Sequence, residues 1–176
     1  MGEPRNFMKY FFIFIATWQL SFALIISPEA AMTKSFKAQT VTKKAMILTK
    51  KEQQKVQNLA KVKLSSKLFR LYIAKKSEQT IGFGILLTQK VRSKSTAVLY
   101  MLTPDGNLKN IEIIAFNEPK EYLPSKRWIA QFKEKKTKEF VENSDLTMIS
   151  GATLSANAII KVANIARAIW KVKLNK

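Results

Sequence analysis

Residues 96–116, with the sequence TAVLYMLTPDGNLKNIEIIAF, contain two apolar stretches on either side of a polar turn. Large apolar and β-branched residues fill residues 96–102 and 108–116, a composition typical of β-strands. The five residues between them, Thr103-Pro104-Asp105-Gly106-Asn107, are of the types that favour turns. This stretch therefore predicts a β-hairpin.

A second hairpin is predicted upstream. Residues 68–74 and 80–89 are rich in large apolar and aromatic side chains, and a charged connection at residues 75–79 separates them. Together the two hairpins give four antiparallel strands. Gly82 and Gly84 lie on one face of their strand because they are two residues apart, and we expect them to mark curvature of the sheet.

Two helices are predicted outside the C-terminal region. Thr49-Lys50-Lys51-Glu52 has the spacing of a capping box, so a helix is expected at about residues 50–62. Ser125 is a suitable cap for a short mid-chain helix in which Trp128 and Phe132 share one face and anchor the core.

A long apolar helix is predicted at the C-terminus, with Ser155 as its N-cap. Its polar residues fall on one narrow stripe and its apolar residues on the remaining surface, as in a buried helix. The stripe contains Asn157, Lys161, Asn164, Arg167 and Lys171, and the core positions are Ile159, Val162, Ala163, Ala166, Ile169 and Trp170. The predicted fold is α+β: an antiparallel sheet of about four strands with an N-terminal helix, a short mid-chain helix and this buried C-terminal helix.

The first residues have the pattern of an export signal. Arg5 and Lys9 precede an apolar run from Tyr10 to Ile26, and Ala30 or Ala31 offers a cleavage position. Residues 1–31 are therefore interpreted as a signal peptide or an N-terminal membrane anchor, and both forms remain open. Residues 32–45 are expected to be a polar tether, followed by one domain at 46–176.

Composition restricts the chemistry. The formal net charge is +19, and residues 1–32 contribute nothing to it because they hold two basic and two acidic side chains. Such a charge favours acidic partners and anionic surfaces, while the scattered lysines and the absence of a recognised module argue against nucleic acid. The sequence contains no Cys and no His. Thiol chemistry and a hydrolase built on a nucleophile and His are therefore excluded, so any redox chemistry requires a cofactor.

The tetrapeptide Ser150-Gly151-Ala152-Thr153 stands directly before the predicted C-terminal helix. Gly151 and Ala152 leave the backbone open to a bulky phosphate, and the helix start presents unpaired N–H groups and a positive dipole end. The Thr153 hydroxyl is the candidate ester oxygen. A small-residue turn that merely starts a helix is the alternative interpretation.

These residues, with Leu154 and Ser155, resemble the signature of the FMN-binding domains that carry FMN on a threonine. That family includes the FMN-carrying subunits of sodium-pumping NADH:quinone reductases and small exported proteins. The resemblance spans roughly residues 68–172. It implies FMN joined covalently to Thr153 by a phosphoester, with Ser150, Gly151, Ala152, Leu154 and Ser155 around the site. Two departures are Thr147, where many members have Asp, and Asn117, where some have His.

Further expectations follow from the resemblance. Glu118 and Tyr122 are candidates to line the flavin ring, and the bare stripe at Gly82 and Gly84 is an alternative place for the ring to approach. A separate flavin transferase would install the cofactor. The resulting hypothesis is an extracytoplasmic or periplasmic electron carrier, rather than an enzyme with its own substrate, that meets redox partner proteins in the envelope, with membrane association left open. The alternative is a cofactor-free basic module that docks on anionic membrane or acidic envelope partners.

Overall fold

A computed structural model of the chain describes residues 26–91, 93–134 and 153–175. The architecture is α+β, as predicted, with five antiparallel strands and four α-helices in these ranges. In chain order the elements are α1 (Pro28–Phe36), β1 (Thr40–Ile47), α2 (Lys50–Ala60), β2 (Leu68–Lys76), β3 (Gln79–Lys90), β4 (Ser95–Leu102), β5 (Leu108–Phe116), α3 (Lys126–Glu134) and α4 (Thr153–Ile169). A 3-10 turn, Lys120–Tyr122, precedes α3, and a π-helical turn, Trp170–Leu174, follows α4.

The sheet is a meander in which each strand pairs with its neighbour in sequence, in the order β1-β2-β3-β4-β5. Both predicted hairpins are present, as β2 with β3 and β4 with β5. In the second turn the Gly106 N–H donates to the Thr103 carbonyl at 2.9 Å, and Gly106 has a φ of +84°. That positive φ explains why a glycine is required there.

The strand count differs from the predicted four because residues 32–45 are not a tether. They form the second half of α1 and most of β1. β1 lies at one edge of the sheet, and most of its side chains, such as Lys43 and Lys44, are exposed while Met46 is buried. An exposed edge strand has little apolar periodicity and often carries Lys, so its composition resembles that of a linker.

Helices cover the sheet on both sides. We call the side covered by α2 and α4 the inner face, and the side covered by α1 the outer face. The inner core joins alternate strand residues to the buried side of α4. Its large buried members include Leu48, Val56, Ile85, Tyr100, Ile111, Phe132, Ile159 and Ile169. The outer core is smaller and consists of Ala31, Met32, Ala38, Tyr72, Ala74, Leu99, Met101 and Ile114.

The two strand glycines have a packing role that the sequence does not reveal. A Cβ at Gly82 would overlap the Phe36 ring, and a Cβ at Gly84 would lie 2.6 Å from the Met32 sulfur. The bare stripe is thus filled by two side chains of α1. Simple sheet curvature does not describe the full role of these glycines, because they also let a helix lie close to the sheet. No room remains there for a flavin ring.

The predicted helix starts are largely confirmed. The Glu52 N–H donates to Thr49 Oγ1 at 3.2 Å and the Thr49 N–H donates to Glu52 at 2.8 Å, which completes the capping box. The Trp128 N–H donates to Ser125 Oγ at 3.2 Å. Trp128 and Phe132 are both buried and meet edge to face, with ring centroids 5.3 Å apart. Among the described residues, no helix has the length and apolarity needed to cross a membrane.

Candidate functional site

Thr153 is the first residue of α4, and its side chain is exposed. The next residue, Leu154, is 56% exposed. Ser150, Gly151, Ala152 and the departure at Thr147 lie outside the described residues. Because this exposed residue is the first of a 17-residue helix, it lies at the positive end of the helix dipole, which favours a bound anion.

Ser155 is not the N-cap that the sequence predicts, because the helix already begins two residues earlier. It is the third residue of α4 and is only 1% exposed. Its hydroxyl is buried without a hydrogen-bond partner among the described residues, and the same is true of Asn157 Oδ1. Buried polar atoms of this kind are uncommon and call for an explanation, such as a water molecule or ligand.

Two contacts fix the direction of α4 across the inner face. The Tyr100 hydroxyl donates to the Ile159 carbonyl at 3.0 Å, so the middle of the helix lies over the middle of β4. The Trp170 ring, beyond the C-terminus of α4, lies against Gly106 in the β4–β5 turn. Thr153 therefore points towards the opposite end of the sheet, where β3 connects to β4. We call this end of the domain the attachment end.

The Tyr100 side chain is fully enclosed by the inner core, and burial raises the pKa of its hydroxyl well above 10.0. The hydroxyl therefore stays protonated and keeps donating to the helix at neutral pH. This contact anchors α4, and with it Thr153, to the sheet.

The sheet also contributes polar atoms at the attachment end. Gln89 and Thr96 are paired across β3 and β4 and share the inner face with Leu87 and Val98. Gln89 Nε2 and Thr96 Oγ1 are buried without hydrogen-bond partners among the described residues. Neither residue could be identified as part of a site from the sequence, because each is a single polar side chain at the end of an apolar strand.

Glu118 is buried at the same end, with 7% of its surface exposed. Its Oε1 accepts from the backbone N–H groups of Ser93 and Lys94, both at 2.7 Å, and its Oε2 accepts from Ser93 Oγ at 3.2 Å. The carboxylate thus holds the β3–β4 connection. Contact between Glu118 and a flavin ring stays a prediction, as it does for Tyr122, which is half-buried in the 3-10 turn.

A pocket of about 350 Å³ lies beside α4 on the inner face. Its size is at the lower end of the range for small-molecule sites. Three lysines, Lys63, Lys90 and Lys161, lie around apolar side chains. The apolar lining comes from Val62, Leu64, Phe69, Leu87, Ala158, Val162 and Ile165. The lining is drawn from four separate parts of the chain, so no local sequence pattern could have identified it.

The position of this pocket relative to Thr153 follows from helix geometry. Ala158 lies five residues further along α4, a rise of about 7.5 Å. An exposed hydroxyl, unpartnered polar atoms, nearby cations and an apolar recess are the groups that a phosphate-bearing aromatic cofactor requires. The described residues contain no group of acidic side chains able to hold a metal ion.

Residues 92–168 match the family model described as an FMN-binding domain. The match covers β4, β5, α3 and nearly all of α4, and it includes Glu118 and Thr153. None of the curated proteins compared with the chain matches it. The family match confirms the resemblance to FMN-binding domains that the sequence predicts, and it supports FMN as the ligand of this protein.

Proposed function

We propose that the chain is an exported electron-carrier flavoprotein in which the Thr153 hydroxyl is esterified by the phosphate of FMN. The observation that carries this proposal is the position of Thr153. It is exposed at the start of α4 and lies inside the segment that matches the FMN-binding domain. FMN, when bound, supplies the redox chemistry that a chain without Cys or His does not have of its own.

The residues around Thr153 are suited to a phosphate. The first turn of α4 contains no acidic residue, so no negative side chain opposes an anion there. The N–H groups of a helix start point towards such an anion, and the dipole attracts it. Ser155 can donate its unpartnered hydroxyl in the same region.

The lysines near the pocket act on the cofactor through their positive charge and not by transferring protons. Lys63, Lys90 and Lys161 create a positive potential beside α4. Such a potential stabilises negative charge added on reduction, which favours electron acceptance. Since no His or Cys is available to exchange protons with a substrate near neutral pH, an electron carrier fits better than an enzyme with its own substrate.

The partners belong to the proposal. A flavin transferase installs the cofactor after export, as the resemblance to FMN-binding domains implies, and the described residues hold no group of acidic side chains that could bind a metal ion for self-modification. Redox partner proteins of the envelope then exchange electrons with the loaded domain. We infer a periplasmic or extracytoplasmic location from the apolar run that precedes the domain. In the uncleaved form the same run is the membrane anchor.

Mass spectrometry of the chain produced together with a flavin transferase tests the attachment. We expect one FMN adduct, on the peptide that contains Thr153, and yellow colour that survives unfolding. The Thr153→Ala variant should be colourless after unfolding. Thr33→Ala, the same substitution at an exposed threonine of α1, is the matched control and should keep the adduct.

Two results would overturn the proposal. The first is an unmodified wild-type chain when a known FMN-binding domain is loaded in the same cells. The second is an adduct that persists in the Thr153→Ala variant. A colourless wild-type protein would favour the cofactor-free basic module, whose only support is the net charge of +19.

A further inference from the structure

Part of the outer face of the sheet is left uncovered by α1. The residues of β2, β3 and β4 beneath α1 are buried, whereas the outer-face residues towards the attachment end of β1, β2 and β3 are exposed. We call these exposed residues the open face. They are Lys43, Ala45, Ile47, Leu68, Arg70 and Thr88.

Two large apolar side chains stand together on the open face. Ile47 is 65% exposed and Leu68 is 58% exposed, and the two are direct partners in the β1–β2 register. Among the described residues, the only other large apolar side chain exposed to this degree is Leu154, at the start of α4. A paired apolar contact at the end of a sheet is a natural insertion point for an interface.

The charged residues of the open face have one sign, while the acidic Glu29 of α1 acts on Tyr72 beside them. Lys43 and Arg70 lie on the same face, and none of the six open-face positions is acidic. The chain as a whole carries +19. Exposed apolar groups bordered by cations are the combination that binds anionic lipid surfaces.

The direction of α1 brings the N-terminal segment out at the same end of the sheet as the open face. Phe36 lies over Gly82 and Met32 over Gly84, so α1 runs antiparallel to β3. Four helical residues advance about 6 Å and two strand residues about 6.7 Å, so the two elements stay in step. Continued backwards, α1 leads towards the attachment end of the sheet, where Ile26 packs on the outer core and lines a recess with Glu112 of β5. Ile26 is also the last residue of the apolar run that begins at Tyr10.

We propose that the open face docks on an anionic lipid surface while the apolar run enters the bilayer. This inference rests on the proposed export of the chain with its N-terminal run retained. Docking inserts Ile47 and Leu68 into the interface and places Lys43 and Arg70 against the headgroups. A second copy of the chain is a poorer occupant, because pairing at β1 would bring the Lys43 and Lys44 side chains of two copies together.

Docking has a consequence for the flavin site. The open face lies at the end of the sheet where β3 connects to β4, which is also the attachment end. The surface that contacts lipid and the start of α4 are therefore at the same end of the domain. Electron exchange would then take place close to the membrane, where the partner is an integral membrane protein or a lipid-soluble carrier.

The absence of cysteine allows a direct test, because a single introduced Cys can be labelled uniquely. The full chain is reconstituted in phosphatidylcholine vesicles, with or without phosphatidylglycerol, whose acyl chains carry a quencher. Leu68→Cys and Thr88→Cys place a fluorophore on the open face. Gln79→Cys is the matched control, because Gln79 is the exposed first residue of β3 and pairs with Lys76 at the far end of β2, about 27 Å from Leu68.

We expect quenching at positions 68 and 88, but not at 79, and only when phosphatidylglycerol is present. Raising the salt concentration should detach the open face from the vesicle surface and so remove the quenching at positions 68 and 88. The double variant Lys43→Ala, Arg70→Ala should lower the ratio of docked to undocked protein by roughly 25-fold, about fivefold for each cation. Equal quenching at all three positions, quenching independent of phosphatidylglycerol, or a stable dimer formed through the open face would each overturn the proposal.

The docking experiment is independent of the flavin. Thr153→Ala should leave the quenching unchanged, and Leu68→Ser should leave the FMN adduct unchanged. A chain that is loaded with FMN but fails to dock refutes the docking proposal alone. A chain that docks but is not loaded refutes the proposed function alone.

Discussion

Glu118 has two candidate roles, which are to hold the β3–β4 connection and to contact the flavin ring. Replacing Glu118 tests which role dominates. The side chain accepts three hydrogen bonds from the β3–β4 connection, two of them at 2.7 Å. Glu118→Gln keeps the shape and one carbonyl oxygen but removes the charge. Glu118→Ala removes every acceptor and leaves the N–H groups of Ser93 and Lys94 to water.

The expected losses follow from these contacts. Hydrogen bonds to a charged group contribute about 1.5–3 kcal/mol, roughly twice the contribution of neutral ones. Glu118→Gln should therefore lower the free energy of unfolding by about 1 kcal/mol. Glu118→Ala should lower it by about 2–4 kcal/mol, towards the lower value because Ser93 and Lys94 are exposed enough for water to replace the carboxylate.

The measurement is urea unfolding of the protein made without a flavin transferase, so that no cofactor contributes. Each kcal/mol should also lower Tm by about 2–4 °C for a chain of this size. Glu121→Gln, in the same loop but exposed, is the control and should change little. If Glu118→Ala left the unloaded protein as stable as the wild type, the carboxylate would not be holding the connection, and its role would be sought in the flavin.

Two further predictions concern stability. Gly82→Ala should lower the free energy of unfolding in urea by about 1–3 kcal/mol, because the new methyl group overlaps the Phe36 ring. Adding Phe36→Ala should recover part of that loss. If the losses of the two variants were simply additive, the packing of Phe36 on Gly82 would be contradicted. The hydrogen bond from Lys173 lowers the pKa of Glu52 below its ordinary 4.5, so the stabilisation is complete above that value and is lost as the pH falls through the lowered pKa. Glu52→Gln should therefore show a smaller drop in stability between about pH 7 and about pH 3 than the wild type, and an unchanged drop would refute the link.

The hairpins and helix starts could be predicted because their signals are local. Pro104 to Gly106 specify a turn, and Thr49 with Glu52 specifies a helix start, within a few residues of chain. β1 could not be predicted, because an exposed edge strand lacks the apolar alternation that identifies strands. The stripe of Gly82 and Gly84 is visible in the sequence, but its packing role is not, because the side chains that fill it come from a helix about fifty residues earlier in the chain.

For the candidate site, the sequence predicts a point of attachment at Thr153 but not the residues that surround it. Thr153 stands in a short motif, and such a motif is visible without any knowledge of the fold. The burial of Glu118 and the unpartnered atoms of Gln89 and Thr96 depend on how β3, β4 and the loop after β5 meet. Contacts between distant segments leave no periodic pattern in the sequence, so only the structure brings these groups together.

The nearest-neighbour order of the strands has a consequence for how the chain folds. Every strand pairs with the one made just before it, so the sheet can assemble hairpin by hairpin from the N-terminal side. Such short-range pairing favours fast folding. α4 is the exception, because it comes last and closes the inner core. Thr153, the proposed acceptor, therefore takes its final position only when folding is complete, so a modifying enzyme that needs this geometry would not act on incompletely folded chains.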